Sequence, residues 1–464
     1  MDDARSGLLQ SLPAVGEFLD SVEGRRLVAT FGEGMVKCEL RHALALSRLG
    51  MREGRIQKPL VLEDLATRVA DRLRHVMEPL ARRAINATGI LLHTGLGRAP
   101  LCEAAREAIQ SASGYTPVQA DPESGERSLR EACVEQLLQE LTGCEAATVV
   151  NNNAAATMLV LNDLAAGKEV VISRGQLVEI GGSFRMTDVM VQSGAVLREV
   201  GTTNRTSLGD YQTAIGARTG ALIRVHTSNY RIRGFASTPT ISELVALGKT
   251  HGLPVVDDLG SGALVPLREW GVGDEPLVRE SLSAGADVVC FSGDKLVCGP
   301  QAGILCGRKS VIERIRMNPY SRMFRVCKLT LAALEATLAE FVNGTYRRNI
   351  PFYRMLDRSV ADLDREGQAL AASLGGIPGL SAGVGEDLAY VGSGSIPDEG
   401  LATRVVRLRH STISSGEIAR RLRTGIPAVY ARLADREVVL DLRTLRDGEL
   451  AQVETAVRRI LDAS

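Results

Sequence analysis

The sequence lacks three features that would each define a class of protein. No apolar stretch reaches the ~20 residues of a membrane-spanning helix. The start, MDDARSGLLQSLPAVGEFLD, carries acidic residues where a signal peptide has a basic region. Net charge is also absent, because 55 basic and 55 acidic residues cancel. We therefore expect a cytoplasmic protein without a membrane segment, in which any contact with nucleic acid depends on local charge.

Paired cysteines are missing as well. The eight cysteines include no C-x-x-C pair, and in a cytosolic chain of this size we expect them to be reduced core or loop residues. Cys290, Cys298 and Cys306 share a spacing of eight residues, but no histidine lies near them to complete a metal site. The sequence therefore predicts no bound metal.

Length and composition allow several domains, since 464 residues with 45% hydrophobic content can bury a large core. Residues 1–83 space their apolar positions by three and four, as in LEDLATRVADRLRHVM, which indicates helices. We predict a helical N-terminal domain over 1–83 and a large α/β domain over 84–335. A smaller α+β domain is predicted over 336–464, where short strand and helix patterns mix.

Short apolar runs indicate the sheet of the large domain. They are EVVIS, ALIRVHTS, LPVVDDLG, ADVVCFSGD and AGILCG. Runs that are apolar on both faces and separated by helical segments such as ISELVALGKTHG are typical of parallel strands covered by helices. In such doubly wound sheets ligands bind beyond the carboxyl ends of the strands. Asp258 and Lys295 both lie at or just past such an end.

Two adjacent aspartates lie at the end of the run LPVVDDLG. Neighbouring strand residues face opposite sides, so Asp257 and Asp258 cannot share one environment. A buried carboxylate needs a cation or several hydrogen-bond donors. An arginine or a cluster of backbone amides is one such partner. The other is the protonated ring nitrogen of pyridoxal phosphate, with Asp258 beneath it and Lys295 supplying the amine that binds the aldehyde.

Lys295 lies in FSGDKLVCGPQAG, after an apolar run and among glycines. Lysine resists full burial, and glycine-rich loops bring the backbone close to bound molecules. Taken alone, this lysine would be interpreted as a surface or salt-bridged residue. The separation from Asp258, 295 − 258 = 37 residues, fits one helix and one further strand. The combination of lysine, aspartate and glycines favours the cofactor interpretation.

Two asparagine-containing segments are candidates for further cofactor contacts. The asparagines of VVNNNAAA either only cap the helix that follows or also make its N-terminus an anion site for the cofactor phosphate. They are Asn151, Asn152 and Asn153. In VHTSNY, which closes another strand, Ser228 or Asn229 could reach the phenolic oxygen of the cofactor.

Arginines form the last group of candidates. Arg98 lies in the glycine-rich turn HTGLGRAPL. Arg322 and Arg325 lie three apart in MNPYSRMFRVCKLTL, on a predicted helix start where they would share one face. Guanidinium groups suit tetrahedral oxyanions. A solvated charged face is the alternative interpretation.

Together these motifs resemble the bacterial L-seryl-tRNA(Sec) selenium transferases, also called selenocysteine synthases. The resemblance rests on INATGILLHTGLGRAPL, VVNNNAAA, EVVISRGQLVEIGGSFR, EVGTTNRT, VHTSNY, VVDDLGSG, FSGDKLVCGPQAG and KLTLAALEATL, in this order. It implies a fold-type I pyridoxal-phosphate enzyme that converts seryl-tRNA(Sec) to selenocysteinyl-tRNA(Sec). The reaction implied is dehydration to aminoacrylyl-tRNA, followed by addition of selenium from selenophosphate.

The resemblance also implies roles for individual residues. It makes Lys295 the Schiff-base lysine, Asp294 the neighbouring catalytic acid and Asp258 the partner of the ring nitrogen. The arginines that it implies for holding the selenium donor are Arg98, Arg322 and Arg325. Members of the family form ring-shaped homodecamers built from dimers, with active sites between paired subunits.

Some positions depart from the family pattern. Gly95 stands where asparagine is usual, Gln176 replaces glutamate, Cys298 replaces glycine, and Cys327 lies where an acid is common. One alternative is therefore a related pyridoxal-phosphate lyase or ammonia-lyase acting on a small amino acid or amino sugar. Another is a tRNA-binding protein without catalysis, which the intact lysine and aspartate disfavour.

The N-terminal segment favours the transferase over the lyase, because a small-molecule lyase needs no tRNA-binding domain. Between Arg25 and Lys58, eight basic residues face three acidic ones, a local excess of 8 − 3 = +5. This excess predicts that residues 1–83 bind the tRNA backbone. A solvated helical face is the alternative.

Overall fold

The structure is a computed structural model that describes residues 7–77, 81–181, 184–273, 275–392 and 395–462. It divides into two compact units, Met1–Arg83 and Ala84–Ser464. Among the described residues, no helix combines the length and the apolar character needed to cross a membrane.

The first unit is built from helices whose apolar positions repeat every three or four residues. They are α1 (Val15–Asp20), α2 (Val22–Phe31), α3 (Glu33–Arg52) and α4 (Leu62–Met77). Phe18, Leu40 and Leu73 are fully buried in their common core. The helix predicted from LEDLATRVADRLRHVM coincides with α4.

The second unit contains a seven-stranded sheet and a five-stranded sheet. The strands of the larger sheet, in spatial order, are β2 (Ala146–Val150), β10 (Gly303–Gly307), β9 (Val288–Ser292), β8 (Val255–Gly260), β7 (Thr219–Val225), β3 (Glu169–Ser173) and β6 (Val196–Val200). A separate pair consists of β4 (Glu179–Ile180) and β5 (Phe184–Arg185).

Most strands of the larger sheet run parallel, as their apolar character on both faces predicts. The exception is β10, which pairs antiparallel with both β2 and β9. The prediction that AGILCG forms a parallel strand was therefore wrong. A short turn after Lys295 returns the chain directly beside β9, and a direct return of this kind forces antiparallel pairing.

Helices cover the larger sheet and connect its strands. They are α5 (Glu103–Ala112), α6 (Ala132–Thr142), α7 (Asn153–Ala165), α8 (Met186–Gln192), α9 (Leu208–Ala214), α10 (Ile241–His251), α11 (Val278–Ser283), α12 (Lys309–Met317), α13 (Pro319–Met323) and α14 (Lys328–Val342). Local sequence fixes their ends. In α10, for example, Thr240 and Glu243 form a capping box, and Gly252 ends the helix in the left-handed conformation.

The five-stranded sheet has the order β1 (Ala84–Ala87), β13 (Ala428–Ala434), β14 (Glu437–Asp441), β12 (Ser395–His410) and β11 (Leu380–Gly392). Its first strand pairs parallel with β13, and the other pairs are antiparallel. The remaining helices are α15 (Tyr346–Asn349), α16 (Pro351–Asp357), α17 (Val360–Leu374), α18 (Ser415–Thr424) and α19 (Glu449–Asp462).

The division into domains over 1–83, 84–335 and 336–464 stays a prediction. The boundary expected after residue 335 falls within α14, and β1 belongs to the sheet of the C-terminal strands. A chain segment from the start of the second unit therefore contributes to the C-terminal sheet. Sequence patterns could not show this pairing because β1 has only four residues.

Candidate active site

A cavity of about 590 Å³ lies at the carboxyl ends of the parallel strands. Residues at or just beyond the ends of β7, β8 and β9 line it, together with the start of α7. Because β10 runs in the opposite direction, its first residue, Gly303, lies at the same edge. A Cβ there would be 2.1 Å from the carbonyl oxygen of Asn152, so only glycine allows this approach.

Lys295 projects into this cavity three residues after the end of β9. The residue is only 7% exposed, and its amine has no hydrogen-bond partner within the described part of the chain. Burial lowers the pKa of Lys295, and the nearby Arg98 guanidinium lowers it further. A larger fraction of this amine is therefore neutral, and nucleophilic, at a given pH than for a free lysine.

Asp294 is held beside Lys295 by an arginine. Nη1 of Arg98 donates to Oδ2 of Asp294 at 2.8 Å. The other carboxylate oxygen, Oδ1, is buried and has no partner among the described residues. Arg98 itself lies in a tight turn with φ 64°, next to Gly97. The structure thus brings Arg98 beside Asp294 and Lys295, although 196 positions separate Arg98 from Asp294 in the sequence.

The adjacent aspartates face opposite sides of β8, as predicted. Asp257 forms a bidentate pair with Arg224, with Nε to Oδ1 at 2.7 Å and Nη2 to Oδ2 at 2.6 Å. Asp258 faces the cavity and has no arginine partner among the described residues. The arginine interpretation therefore applies to Asp257 alone.

The described residues that donate hydrogen bonds to Asp258 are all neutral groups. Nδ2 of Asn153 is 2.8 Å from Oδ1, the backbone N–H of Gly260 is 3.1 Å from the same oxygen, and Oγ1 of Thr157 is 2.9 Å from Oδ2. Burial raises the pKa of Asp258, and this effect exceeds the lowering by the hydrogen bonds from Asn153 and Thr157. These donors orient the carboxylate, but they leave a buried charge that a cation in the cavity would stabilise.

The three asparagines of VVNNNAAA have different positions. Asn152 caps α7, since its side chain accepts from the backbone N–H of Ala155 at 2.9 Å. Asn153 binds Asp258, and both of these asparagines line the cavity. Asn151 is not among the lining residues. Its backbone N–H donates to the carbonyl of Phe324 at 2.8 Å.

Ser228 and Asn229 line the cavity after the end of β7. Nδ2 of Asn229 donates to the carbonyl of Glu179 at 3.0 Å, which fixes this side chain to another part of the chain. The Ser228 hydroxyl has no hydrogen bond within the described residues, so it is the better placed of the two for a ligand.

Arg322 and Arg325 do not lie on one helix face, and that prediction was wrong. Arg322 is in α13, which ends at Met323, whereas Arg325 follows the helix and forms a bridge with Val150. The chain leaves the helix here because it pairs with the end of β2. Both side chains are exposed, and neither lines the cavity.

Sequence reasoning missed several residues near the site. Thr157 could have been found, because it lies one helical turn after Asn153 and so on the same face of α7. His226 lines the cavity, with Nε2 3.1 Å from Oε2 of the buried Glu275. Arg130 lies close to Arg325, whose charge adds to burial in lowering the pKa of Arg130. Local pattern carries no signal for these long-range contacts.

The positions that depart from the family pattern are accommodated locally. Oε1 of Gln176 accepts from the backbone N–H of Val225 at 3.0 Å, and its Nε2 lies 3.3 Å from the Thr238 hydroxyl. Cys298 adopts φ 58°, a conformation that glycine enters without steric cost. Cys327 is the N-cap of α14. Gly95 packs near His93.

The L-seryl-tRNA selenium transferase family model matches residues 84–446. The chain belongs to this family. It is similar to the L-seryl-tRNA(Sec) selenium transferase of Nitratidesulfovibrio vulgaris, with 44% identity over 98% of this chain and 99% of that protein. The protein of the same name from Aquifex aeolicus is 45% identical over 85% of this chain and 87% of its own length.

A solved structure supports the fold class. The structure titled D-glucosaminate-6-phosphate ammonia-lyase has a TM-score of 0.57 with 22% identity, and the match covers 82% of this chain and 96% of that one. The predicted fold-type I architecture is thereby confirmed. Membership in the selenium transferase family also confirms pyridoxal phosphate as the cofactor.

The cavity fits this cofactor on its own geometry. Among the described residues it offers a buried amine without a hydrogen-bond partner at Lys295, a buried carboxylate without an arginine at Asp258, and a capped helix N-terminus at Asn152. The N–H of Ala155 is bound by the Asn152 side chain, whereas those of Asn153 and Ala154 have no intrahelical acceptor and can bind a phosphate. Lys295 would hold the aldehyde, Asp258 the ring nitrogen, and the start of α7 the phosphate.

We expect Lys295→Ala to abolish covalent retention of the cofactor, because no other lysine lines the cavity in the described residues. Borohydride treatment of the wild-type protein should fix the cofactor to the peptide that contains Lys295, as peptide mass analysis can show. Lys309→Ala, at an exposed position, is the matched control. Full activity of Lys295→Ala would contradict the assignment.

The two aspartates of β8 should respond differently to the same change. Asp257→Asn leaves Arg224 without its charge partner, so the free energy of unfolding should fall by about 3–5 kcal/mol. Asp258→Asn should leave stability nearly unchanged but lower kcat at least tenfold, since a hydrogen bond to a charged group is worth about 1.5–3 kcal/mol. Denaturant unfolding and steady-state kinetics measure the two effects. Equal destabilisation by both changes would refute the distinction.

Proposed function

We propose that this protein converts L-seryl-tRNA(Sec) to L-selenocysteinyl-tRNA(Sec), with selenophosphate as the selenium donor. The observation that carries the proposal is membership in the selenium transferase family over residues 84–446. The cavity supports it, because the lysine and aspartate needed for the chemistry line one pocket. The lyase and the non-catalytic alternatives are not favoured.

Different residues of the cavity have different roles in the first half-reaction, the dehydration of seryl-tRNA. Pyridoxal phosphate, when bound, supplies a ring that withdraws electrons from the seryl Cα. Asp258 would keep the ring nitrogen protonated. Lys295, whose pKa burial and Arg98 lower, would take the proton from Cα and pass it to the β-hydroxyl, which would leave as water. Asp294, with Arg98 bound to one carboxylate oxygen, would orient the leaving hydroxyl through Oδ1, which has no partner among the described residues.

The second half-reaction adds selenium at the β-carbon of the aminoacrylyl-tRNA. We assign the binding of the donor's phosphate oxygens to Arg98, Arg322 and Arg325. Arg98 lines the cavity. Arg325 forms a bridge with Val150, the last residue of β2, which precedes the start of α7 in the chain. The charge of Arg325 is also close to Arg130. Two neighbouring guanidinium groups repel each other, and an anion between them relieves that repulsion.

The decisive experiment offers purified protein seryl-tRNA(Sec) and selenophosphate and looks for selenocysteinyl-tRNA. Its formation is expected only when both substrates and the cofactor are present. Deamination of a small amino acid or amino sugar, without reaction of seryl-tRNA(Sec), would favour the lyase instead. We also propose a homodecamer of paired dimers, in a cytoplasmic protein, as the family resemblance implies.

Arg322→Ala or Arg325→Ala should separate the two half-reactions. We expect dehydration of seryl-tRNA to survive and the apparent KM for selenophosphate to rise at least tenfold, because a charged hydrogen bond is worth about 1.5–3 kcal/mol. Arg348→Ala, at another exposed position, serves as control. Variants that dehydrate poorly but use selenophosphate normally would show that the assigned role is wrong.

The N-terminal unit is proposed to bind the tRNA backbone through α3. Four of the basic residues counted in the sequence lie on one face of this helix, since their spacing of four, seven and four residues keeps them together. They are Lys37, Arg41, Arg48 and Arg52. Lys37 pairs with Glu33, whereas the three arginines have no carboxylate partner among the described residues.

Changing Arg41, Arg48 and Arg52 together to Glu should weaken tRNA binding while the cofactor stays bound. The slope of log affinity against log salt should become shallower by about 0.9 for each lost phosphate contact. Arg68→Glu, exposed on α4, is the control for added negative charge. Unchanged affinity of the triple variant at the same salt would contradict a tRNA-binding role for this face.

A further inference from the structure

A second cavity adjoins the first. It has a volume of about 490 Å³ and shares Val225 and His226 with the cofactor cavity. Its walls come from the ends of β3 and β7 and from the segments 203–206, 231–233 and 236–238. None of the residues assigned above to the cofactor or to the selenium donor lines it. The reaction proposed for the first cavity gives this space no role.

Positive charge dominates the second cavity. Four arginines and no carboxylate are among its described lining residues. The arginines are Arg205, Arg224, Arg231 and Arg233. The charge of Arg224 is neutralised by Asp257. Arg231 forms an ion pair with Glu399, with Nη1 2.6 Å from Oε1. Arg205 has no carboxylate within ion-pair distance in the described part of the chain, so the cavity retains an attraction for anions.

An aromatic side chain protrudes beside these arginines. Phe235 is 96% exposed, although it belongs to a protein with only 4% aromatic residues. Gly234, with φ 102°, makes the turn that directs the chain outward. Single exposed apolar side chains are common on protein surfaces, but this ring stands at the rim of an arginine-lined cavity, because Arg233 and Ala236 on either side of it line that cavity.

The segment that carries Phe235 is held in place. Nδ2 of Asn204 donates to the carbonyl of Phe235 at 2.7 Å, and the backbone N–H of Ser237 donates to the carbonyl of Asn204 at 2.9 Å. The N–H of Thr206 donates to the carbonyl of Ser237 at 2.9 Å. These hydrogen bonds fix the backbone of the loop that carries the ring. The loop therefore has little backbone conformational entropy to lose when a ligand binds.

We propose that the second cavity and Phe235 bind the single-stranded 3′ end of the aminoacylated tRNA. This inference rests on the proposed function, because only an aminoacyl-tRNA substrate places nucleotides beside the cofactor cavity. The seryl group must enter the first cavity, so the nucleotides attached to it cross an adjoining rim. Arginines for phosphates and an exposed ring for base stacking are the features with which proteins bind unpaired strands.

The chemistry of the remaining lining residues agrees with this ligand. Thr203, Asn204, Ser237 and Thr238 offer hydroxyl and amide groups that can bind ribose hydroxyls and base edges. A free phosphate would use the arginines but not Phe235. The unpaired strand is therefore the occupant that accounts for both the charge and the ring.

The test compares two substitutions of one residue. Phe235→Tyr keeps an aromatic ring, whereas Phe235→Leu keeps only apolar bulk. We expect Phe235→Leu to raise the apparent KM for seryl-tRNA dehydration roughly tenfold, because stacking contributes about 1–3 kcal/mol per base, and Phe235→Tyr to leave it nearly unchanged. Cofactor absorbance should be the same in both variants. Arg365→Ala, exposed on α17, is the control.

A second variant tests the charge. Arg205→Ala should reduce the salt dependence of binding to a short single-stranded RNA with the tRNA 3′-end sequence, by about 0.7 in slope for one lost phosphate. Equal effects of Phe235→Leu and Phe235→Tyr would overturn the proposal, as would a smaller oligomer in Phe235→Leu, which would make the loop an interface between copies. If wild-type protein fails to dehydrate seryl-tRNA at all, the proposed function fails first.

Discussion

A buried carboxylate needs a partner, and the proposed active site follows from the fact that β8 carries two such carboxylates and the sheet supplies a charged partner for one of them. The strand carries two aspartates in succession, and its alternation sends them to opposite faces of the sheet. One face provides Arg224 for Asp257. On the other face, the described residues that donate hydrogen bonds to Asp258 are all neutral. The sheet thus completes one charge pair itself and leaves the second carboxylate available for the proposed contact with the cofactor ring.

The reactivity of Lys295 also depends on the balance of charges around it. Its amine lies near three carboxylates that favour protonation, but burial and Arg98 act in the opposite direction and lower the pKa overall. The carboxylates are those of Asp258, Asp294 and Glu275. Arg98 also binds Asp294, so one guanidinium positions the acid and helps to keep the lysine reactive. The left-handed turn at Gly97 and Arg98 is what places that group over the strand ends.

Sequence patterns predicted the elements that depend on local periodicity and the residues that follow strand ends. EVVIS coincides with β3, and Lys295, Asp258 and Asn153 meet in one cavity. Patterns did not reveal the direction of β10, because an apolar run reads the same in either orientation. Nor did they reveal the path after α13, because the bridge between Arg325 and Val150 joins residues far apart in the chain.

The pairing of β1 with β13 has a consequence for how the chain is made. Ala84 lies opposite Ala428, so 428 − 84 = 344 residues separate two neighbours in one sheet. During synthesis, β1 leaves the ribosome long before its partner exists, whereas every strand of the seven-stranded sheet is complete by Gly307. Contacts over such sequence separations close late, because the entropy of the intervening loop must be lost first. The larger sheet is therefore able to assemble once Gly307 has been made, while the smaller one waits for β13 and β14, which end at Ala434 and Asp441.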